Sequence, residues 1–400
     1  MPSTSKAAVA SSVLAAIALL ATSPVSVAQQ AQQAQEAQQV QQAQQTQQAQ
    51  KPNKPGQKPY PRPLRIGQFD FPATGPIKYS VDDLSSKNAY FGVPYSDLAW
   101  EYYLTDKDGN FYMNVNLAST IKGGQRVPLS GRGIALQLTS SPTGLVPDPK
   151  LGPDTAWSGE VGQELSTGRE LKWTIPTKRT TVDFSVNEEK KRLVYKTKNK
   201  DINLKGELVS PGVQFVMPWR QDDDSTNHMF YTGTFFTLAG TYYGKKVTGY
   251  GMMSNVWAPQ SYVESWWVQN RVGSWLIWGA TYEDGSRESG MNWCTDNGGR
   301  GATYTNSKGE TVLNTPKYNA ETIKGADGKA SRILYTYANG EKWELAANPR
   351  YGKEEIAPGG SSSLVTGIFR RVGEKRKMVD GFAITAIFHR QCDPIDLNAP

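Results

Sequence analysis

The sequence predicts an all-β protein whose antiparallel strands close into barrels or pack as sandwiches. Apolar and polar residues alternate with a period of two, as at Trp100, Tyr102 and Leu104. Turn-forming residues such as Asp106–Asn110 and Asn339–Gly340 separate these segments. Beyond the N-terminal region, helical periodicity is confined to a few short pieces. Many short strands joined by glycine-rich turns are typical of sandwiches and antiparallel barrels.

Residues 1–28 have the pattern of a secretory signal. Lys6 precedes an apolar run over Ala7–Ala21, and small residues at Ser26–Ala28 resemble a cleavage site. The apolar run is shorter than the ~20 residues needed to span a bilayer. We therefore expect an exported mature chain, either secreted or located in the periplasm or cell envelope, without a membrane span.

Residues 29–63 are predicted to be a spacer. Gln29–Gln50 repeats Gln-Gln-Ala with a period of three and lacks large apolar residues, so it cannot build a core. Lys51–Pro63 carries five prolines, which favour an extended backbone. The spacer could tether the folded part or attach it to the cell wall.

The remaining chain is long for one barrel, so we expect two β domains, at residues 64–215 and 216–400. The boundary is placed near Pro211–Asp224, where a proline and a run of acids interrupt the strand rhythm. Of the net charge of +7, residues 1–63 hold five cations and one acid (+4), which leaves +3 for the folded part. Such a balance gives little reason to expect a nucleic-acid surface.

Cys294 and Cys392 are the two cysteines of the chain. An even number in an exported protein favours one disulfide, although two buried free thiols are the alternative. The bridge would fix the C-terminal strand to the aromatic-rich region.

Aromatic and glycine residues are concentrated in Gly240–Trp278. Such a cluster either fills a core or lines an apolar pocket. A minority of polar residues stands among the aromatic residues of this and neighbouring segments: Glu101, Tyr102, His228, Tyr231, Asn255, Glu264 and Arg271. A carboxyl group among aromatic rings has a raised pKa and can act as a general acid, whereas the same glutamates could simply be outward positions of strands. His228 and His389 are the two histidines, and no metal, dinucleotide or nucleophile-elbow motif is present, so no cofactor or metal is expected.

Short motifs in order along Pro94–Asn292 resemble a known superfamily. Ala99–Tyr112 is similar to the first hairpin of the lipocalin-like proteins that include hydroxyneurosporene synthase, a carotenoid hydratase. Met229–Tyr231, Gly240–Gly244 and Val247–Trp257 resemble the second signature of the same hydratase and Diels–Alderase superfamily. The resemblance implies two tandem lipocalin-like domains with an apolar cavity at or near their interface, and chemistry without a metal or redox cofactor.

Two departures from that pattern concern acid chemistry. Ser254-Asn255 stands where the hydratases carry an aspartate, and neither residue can deliver a proton at neutral pH. The order Trp100-Glu101 is also inverted, which moves the carboxylate to the other face of its strand. Acid catalysis would therefore need Glu264 or Glu101.

Three hypotheses follow from the sequence. The first is an exported, cofactor-independent hydratase or cyclase acting on a terpenoid, prenylated or polyene molecule. The second is a carrier that binds a lipid or other hydrophobic ligand without converting it, and the third is a carbohydrate-binding sandwich with exposed tryptophans. The predicted catalytic residues are Glu264, Tyr231 and Asn255, and the predicted ligand-binding residues are Glu101, Tyr102, Met252, Trp257, Trp266 and Trp267.

Overall fold

The structure, a computed structural model, describes residues 75–76, 84–90, 92–122, 124–148, 161–176, 180–187, 189–218, 228–261, 272–295, 300–353, 355–356, 363–387 and 392–398. These residues form strands and turns without an α-helix, so the all-β prediction is confirmed. Within this part of the chain there is consequently no helix that could cross a bilayer. The expected signal (1–28) and spacer (29–63) lie outside the described residues.

In chain order the strands are β1 (Gly75–Pro76), β2 (Tyr95–Asp106), β3 (Phe111–Lys122), β4 (Gln125–Ser141), β5 (Gly144–Pro147), β6 (Gln163–Ser166), β7 (Glu170–Pro176), β8 (Thr181–Asn187), β9 (Arg192–Thr197), β10 (Ile202–Pro218), β11 (His228–Tyr242), β12 (Lys245–Trp257), β13 (Val272–Tyr282), β14 (Arg287–Thr295), β15 (Arg300–Asn306), β16 (Thr311–Thr315), β17 (Tyr318–Lys324), β18 (Ala330–Tyr337), β19 (Lys342–Ala347), β20 (Glu355–Ile356), β21 (Ser363–Arg371) and β22 (Met378–Ile387).

The strands form two antiparallel sheets. The first has the order β5-β4-β3-β2-β12-β11-β10-β9-β8-β7-β6, and β1 pairs with β10. An isolated bridge joins Ser130 on β4 to Val161, just before β6, which shows that the two ends of this sheet approach each other. The second sheet has the order β16-β15-β14-β13-β22-β21-β19-β18-β17, and β20 pairs with β21. We call these sheets barrel 1 and barrel 2.

The change of barrel lies later in the chain than the expected boundary at 215/216. Strands β11 and β12, which end at Trp257, pair within barrel 1, and barrel 2 begins with Val272. The proline that suggested a boundary, Pro211, lies inside β10 at the register shift between Ser210 and Val213, where Gly212 has a φ of 126°. A proline within a strand is tolerated at such a bulge, because the ladder is interrupted there.

Three apolar layers are stacked through the molecule. The interior of barrel 1 holds Trp100, Trp173 and Trp257, and the interior of barrel 2 holds Trp278 and Trp343. Between them lies a third layer, which we call the inter-barrel layer. It consists of side chains from the outer faces of both sheets, chiefly Tyr103, Tyr231, Phe235, Tyr250, Met252, Ile277, Met291, Trp293, Phe382 and Ile384. The two barrels therefore share a continuous buried interface.

Cys294 and Cys392 form the expected disulfide. Both cysteines are buried in the interior of barrel 2. The same C-terminal segment is held by Arg300, whose Nη2 donates to the carbonyl oxygen of Asp393 at 2.7 Å. Asn319 adds a reciprocal pair of hydrogen bonds with the backbone of Ile395.

Candidate functional site

The strands β2, β12 and β11 lie side by side and are buried on both faces. In β12, odd-numbered residues such as Met253 and Trp257 point into barrel 1, whereas Tyr250, Met252 and Val256 point into the inter-barrel layer. Successive side chains of a strand alternate between its faces. Residues that are adjacent in sequence therefore lie either in the interior of barrel 1 or in the inter-barrel layer. The predicted site residues fall into two groups on this basis.

Glu101 lies on the inter-barrel face of β2. Its neighbours in register on the adjacent strands are Val115 and Met252. The carboxylate accepts a hydrogen bond from the hydroxyl of Tyr103, two residues further on the same face. Burial raises the pKa of Glu101 from 4.5 to about 7, and the hydrogen bond from Tyr103 opposes that rise. This carboxyl group can therefore exist in both protonation states near neutral pH.

Tyr231 and Met252 lie on the same face as Glu101. The Tyr231 hydroxyl donates to Ser254 Oγ at 2.7 Å, and its ring meets the Trp275 ring of barrel 2 edge-on at 4.9 Å. Met252 stands between Glu101 and Phe235 in the register of the sheet. Ser254 is the diagonal neighbour of Glu101, a separation of roughly 7–8 Å between backbones. The structure thus brings Glu101, Tyr231 and Met252 together.

A pocket of about 490 Å³ opens at the edge of the inter-barrel layer. Tyr103 and Tyr250 of barrel 1 and Phe382 of barrel 2 form its aromatic part, and Phe382 stacks on both tyrosines with ring centroids 4.5 and 5.2 Å away. Phe111 and Tyr351, whose rings stack at 4.9 Å, line it from the side. Tyr103 also donates to Glu101, so one hydrogen bond links the acid to this aromatic wall. We call the pocket and the polar groups linked to it the inter-barrel site.

Tyr102, Asn255 and Trp257 lie on the opposite face, inside or beside the core of barrel 1. Tyr102 packs edge-on against Tyr195 at 5.7 Å. Asn255 is fully buried and accepts a hydrogen bond from the Tyr95 hydroxyl at 2.8 Å. Trp257 packs against Tyr95 and donates to the Asn88 carbonyl at 3.2 Å. The sheet therefore separates these three residues from Glu101, Tyr231 and Met252.

Glu264, Trp266 and Trp267 lie outside the described residues, as do Arg271 and His389; of His228 only the backbone is described. Of the two glutamates that the sequence offered as acids, only Glu101 is among the described residues. Across the described ranges no group of three or more histidine, cysteine or acidic side chains lies in an arrangement that could hold a metal ion.

A second pocket, of about 440 Å³, lies at the mouth of barrel 1. Glu164 and Arg126 line it. The Glu164 carboxylate accepts bonds from Trp173 Nε1 and from the backbone amide of Ser86, both at 2.9 Å. Arg126 Nη2 donates to the carbonyl oxygens of residues 258 and 259. Both charged groups thus hold the N-terminal segment and the end of β12 in place.

Sequence reasoning missed Tyr103, Tyr250 and Phe382. Tyr103 could have been found from its spacing, because residues i and i+2 of a strand share a face and Glu101 was already a candidate. Tyr250 shares the face of Met252 by the same rule. Phe382 comes from a strand more than a hundred residues later, and no local pattern relates it to β2.

The fold and the site define an all-β protein in which two antiparallel barrels enclose an apolar layer, with Asp380 in the lining of its pocket and Glu101 linked to that lining through Tyr103. No family model matches the chain, and no curated protein sequence matches it. Among solved structures it is similar to CghA with Sch210972 (14% identity, TM-score 0.45, covering 83% of this chain and 97% of that one). It is also similar to a putative AttH from Nitrosomonas europaea (13%, TM-score 0.42, covering 85% and 100%). A third is kievitone hydratase from Nectria haematococca (11%, TM-score 0.36, covering 83% and 99%).

At these identities and scores the likeness assigns neither a substrate nor a reaction to this chain. Arguments about function therefore start from the inter-barrel site itself.

Proposed function

We propose that the protein is an exported, cofactor-independent hydratase or cyclase that protonates a hydrophobic terpenoid, prenylated or polyene substrate with Glu101. The observation that supports this most directly is the Glu101 carboxyl group, whose pKa is raised to about 7 and which one hydrogen bond links to an aromatic wall. A general acid is most effective when its pKa lies near the working pH. Export rests on the N-terminal signal pattern and on the disulfide, since disulfides persist in oxidising compartments.

The reaction would begin with transfer of the Glu101 proton to an alkene carbon. The π electrons of the alkene form the new C–H bond, the neighbouring carbon becomes a cation, and Glu101 becomes a carboxylate. The Tyr103 hydroxyl, which already donates to Glu101, would stabilise that carboxylate. The faces of Tyr103 and Phe382 would stabilise the cation.

Two outcomes complete the cycle. In hydration, water attacks the cation and its released proton returns to Glu101. In cyclisation, a second double bond of the substrate attacks the cation, and loss of a proton from carbon restores the acid. Tyr231 and Ser254, bonded to each other on the same face, are suited to orient a polar end of the substrate or a water molecule.

Farnesol, a prenyl alcohol, incubated in D₂O and separately in H₂¹⁸O, tests the proposal. Carbon-bound deuterium that requires active protein reports alkene protonation, and ¹⁸O in the product distinguishes hydration from cyclisation. Glu101→Gln keeps the size of the side chain but removes the acid, so it should abolish deuterium incorporation and leave farnesol binding intact. Deuterium incorporation at an unchanged rate in this variant would refute the role of Glu101.

The second candidate function is a carrier of hydrophobic ligands. The apolar walls of the inter-barrel site support a carrier as well as they support an enzyme, because binding a hydrophobic ligand requires no catalytic group. Native mass spectrometry of freshly purified protein separates the two: a co-purified lipid recovered unchanged, together with no isotope incorporation, supports the carrier. The carbohydrate-binding alternative is weaker, because the exposed large apolar side chains of the described residues are aliphatic, at Val161, Leu165, Ile368, Val372 and Val379.

A further inference from the structure

Arg370 lines the same pocket as Tyr103 and Phe382. It lies on the outer face of β21, because Val365 and Phe369, at odd positions, point into barrel 2. The Arg370 side chain is exposed, and within the described ranges it makes no hydrogen bond or ion pair. A guanidinium group carries five donors in a planar fork that matches a carboxylate. These donors are available to a ligand in the pocket.

The other charges around the pocket are already engaged. Arg350 Nη1 donates to the carbonyl oxygens of Asp108 and Gly109 at 3.0 and 3.2 Å. The Asp380 carboxylate accepts a bond from the backbone amide of Gly381 at 2.9 Å. The pocket lining thus carries two guanidinium groups against one carboxylate.

Glu344, which faces Arg370 across the strand pair, is the nearest acid in register. It accepts hydrogen bonds from Arg332 and forms an ion pair with it. The carboxylate nearest to Arg370 in the sheet is therefore shared with another cation, which leaves room for an anion from outside the chain.

We propose that the inter-barrel site takes an amphiphile with a carboxylate head, which Arg370 binds at the rim while the hydrophobic chain lies against Tyr103 and Phe382. This rests on the proposed function, since it places the head group of the substrate of the same site. Charge-assisted, bidentate pairs between arginine and carboxylate are stronger than neutral hydrogen bonds. A volume of about 490 Å³ is within the ordinary range of small-molecule pockets.

Farnesoic acid and farnesol form a matched pair of probes, because they share a prenyl chain and differ in the head group. Calorimetric titration of the full chain at pH 8 should give about tenfold tighter binding, or more, for the acid. Arg370→Gln should remove that difference, and Arg370→Lys should restore part of it. Arg192→Gln, the same change of charge at an exposed position of β9 in barrel 1, should leave the difference intact.

Equal affinity of the two probes for the native protein would overturn the proposal, as would an unchanged difference in Arg370→Gln. Failure of both probes to bind would overturn it as well. The outcome is distinct from that of the proposed function: if farnesol still gains deuterium in a Glu101-dependent manner while the head groups are not discriminated, only the role of Arg370 is refuted. Near-ultraviolet circular dichroism confirms that each variant is folded.

Discussion

Replacement of Glu101 by glutamine should change how the stability of the protein depends on pH. Burial raises the pKa of this carboxyl group from 4.5 to about 7 in the folded protein. Between these two values the folded state holds a proton that the unfolded state has released. The contribution of Glu101 to the free energy of unfolding is therefore fully present below pH 4.5 and is lost as the pH rises through 7.

The size of this loss follows from the difference in pKa. One pKa unit corresponds to about 1.4 kcal/mol, so a rise from 4.5 to about 7 gives at most roughly 3–4 kcal/mol. Partial exposure of the side chain reduces that figure through solvent screening. Glutamine has no proton to lose, and its amide can still accept the hydrogen bond from Tyr103.

Urea unfolding of both proteins at several pH values from 4.5 to 8 measures the effect. The free energy of unfolding of Glu101→Gln minus that of the native protein should increase by up to about 3 kcal/mol from pH 4.5 to pH 8, because the native protein loses stability over this range and the variant does not. Tyr103→Phe is the matched control: it removes the bond that opposes the rise in pKa, so the decline should persist and move to higher pH. Parallel stability profiles for the native protein and Glu101→Gln would refute the reasoning.

Two further predictions concern the framework around the site. Cys294→Ser should lower the free energy of unfolding by about 4–5 kcal/mol, since the bridge closes a loop of 98 residues; unfolding of the native protein with and without reductant checks this, and equal stabilities would contradict it. Gly233→Ala should lower the free energy of unfolding by about 1–3 kcal/mol, because the new methyl group would lie 2.7 Å from Met291 Sδ of barrel 2 and 3.2 Å from Met252 Sδ. An unchanged urea midpoint would show that the inter-barrel layer is packed less tightly than described.

Local patterns in the sequence were sufficient for the fold class, whereas the disulfide was predicted from the even number of cysteines in a chain expected to be exported. The alternation around Trp100 and the turn at Asp106–Asn110 correspond to β2, β3 and the hairpin between them. Such signals depend only on neighbouring residues. The boundary between the barrels depended on a proline, and a proline marks a β-bulge as readily as the end of a domain.

The site was harder to predict, because both faces of its central strands are buried. In β12 every residue from Tyr250 to Trp257 is buried, so the contrast between apolar and polar positions disappears. The sequence therefore could not separate residues that fill barrel 1, such as Asn255, from residues of the inter-barrel layer, such as Met252. The position of Glu101 beside the aromatic rings of barrel 2 depends on the packing of barrel 2 against β2, which is a long-range property.

Hydrogen bonds between Ser210 and Ser289 and between Tyr250 and Thr281 join one barrel to the other through the inter-barrel layer. Neither barrel is expected to be stable as a separate fragment, because cutting the chain after Trp257 would expose a large apolar surface on each fragment. We expect the described barrels to melt in one cooperative calorimetric transition, with truncated fragments prone to aggregate. Fusion partners and affinity tags are accordingly best placed at the C-terminal end, because an N-terminal tag would be removed with the expected signal, and not at the junction between the sheets.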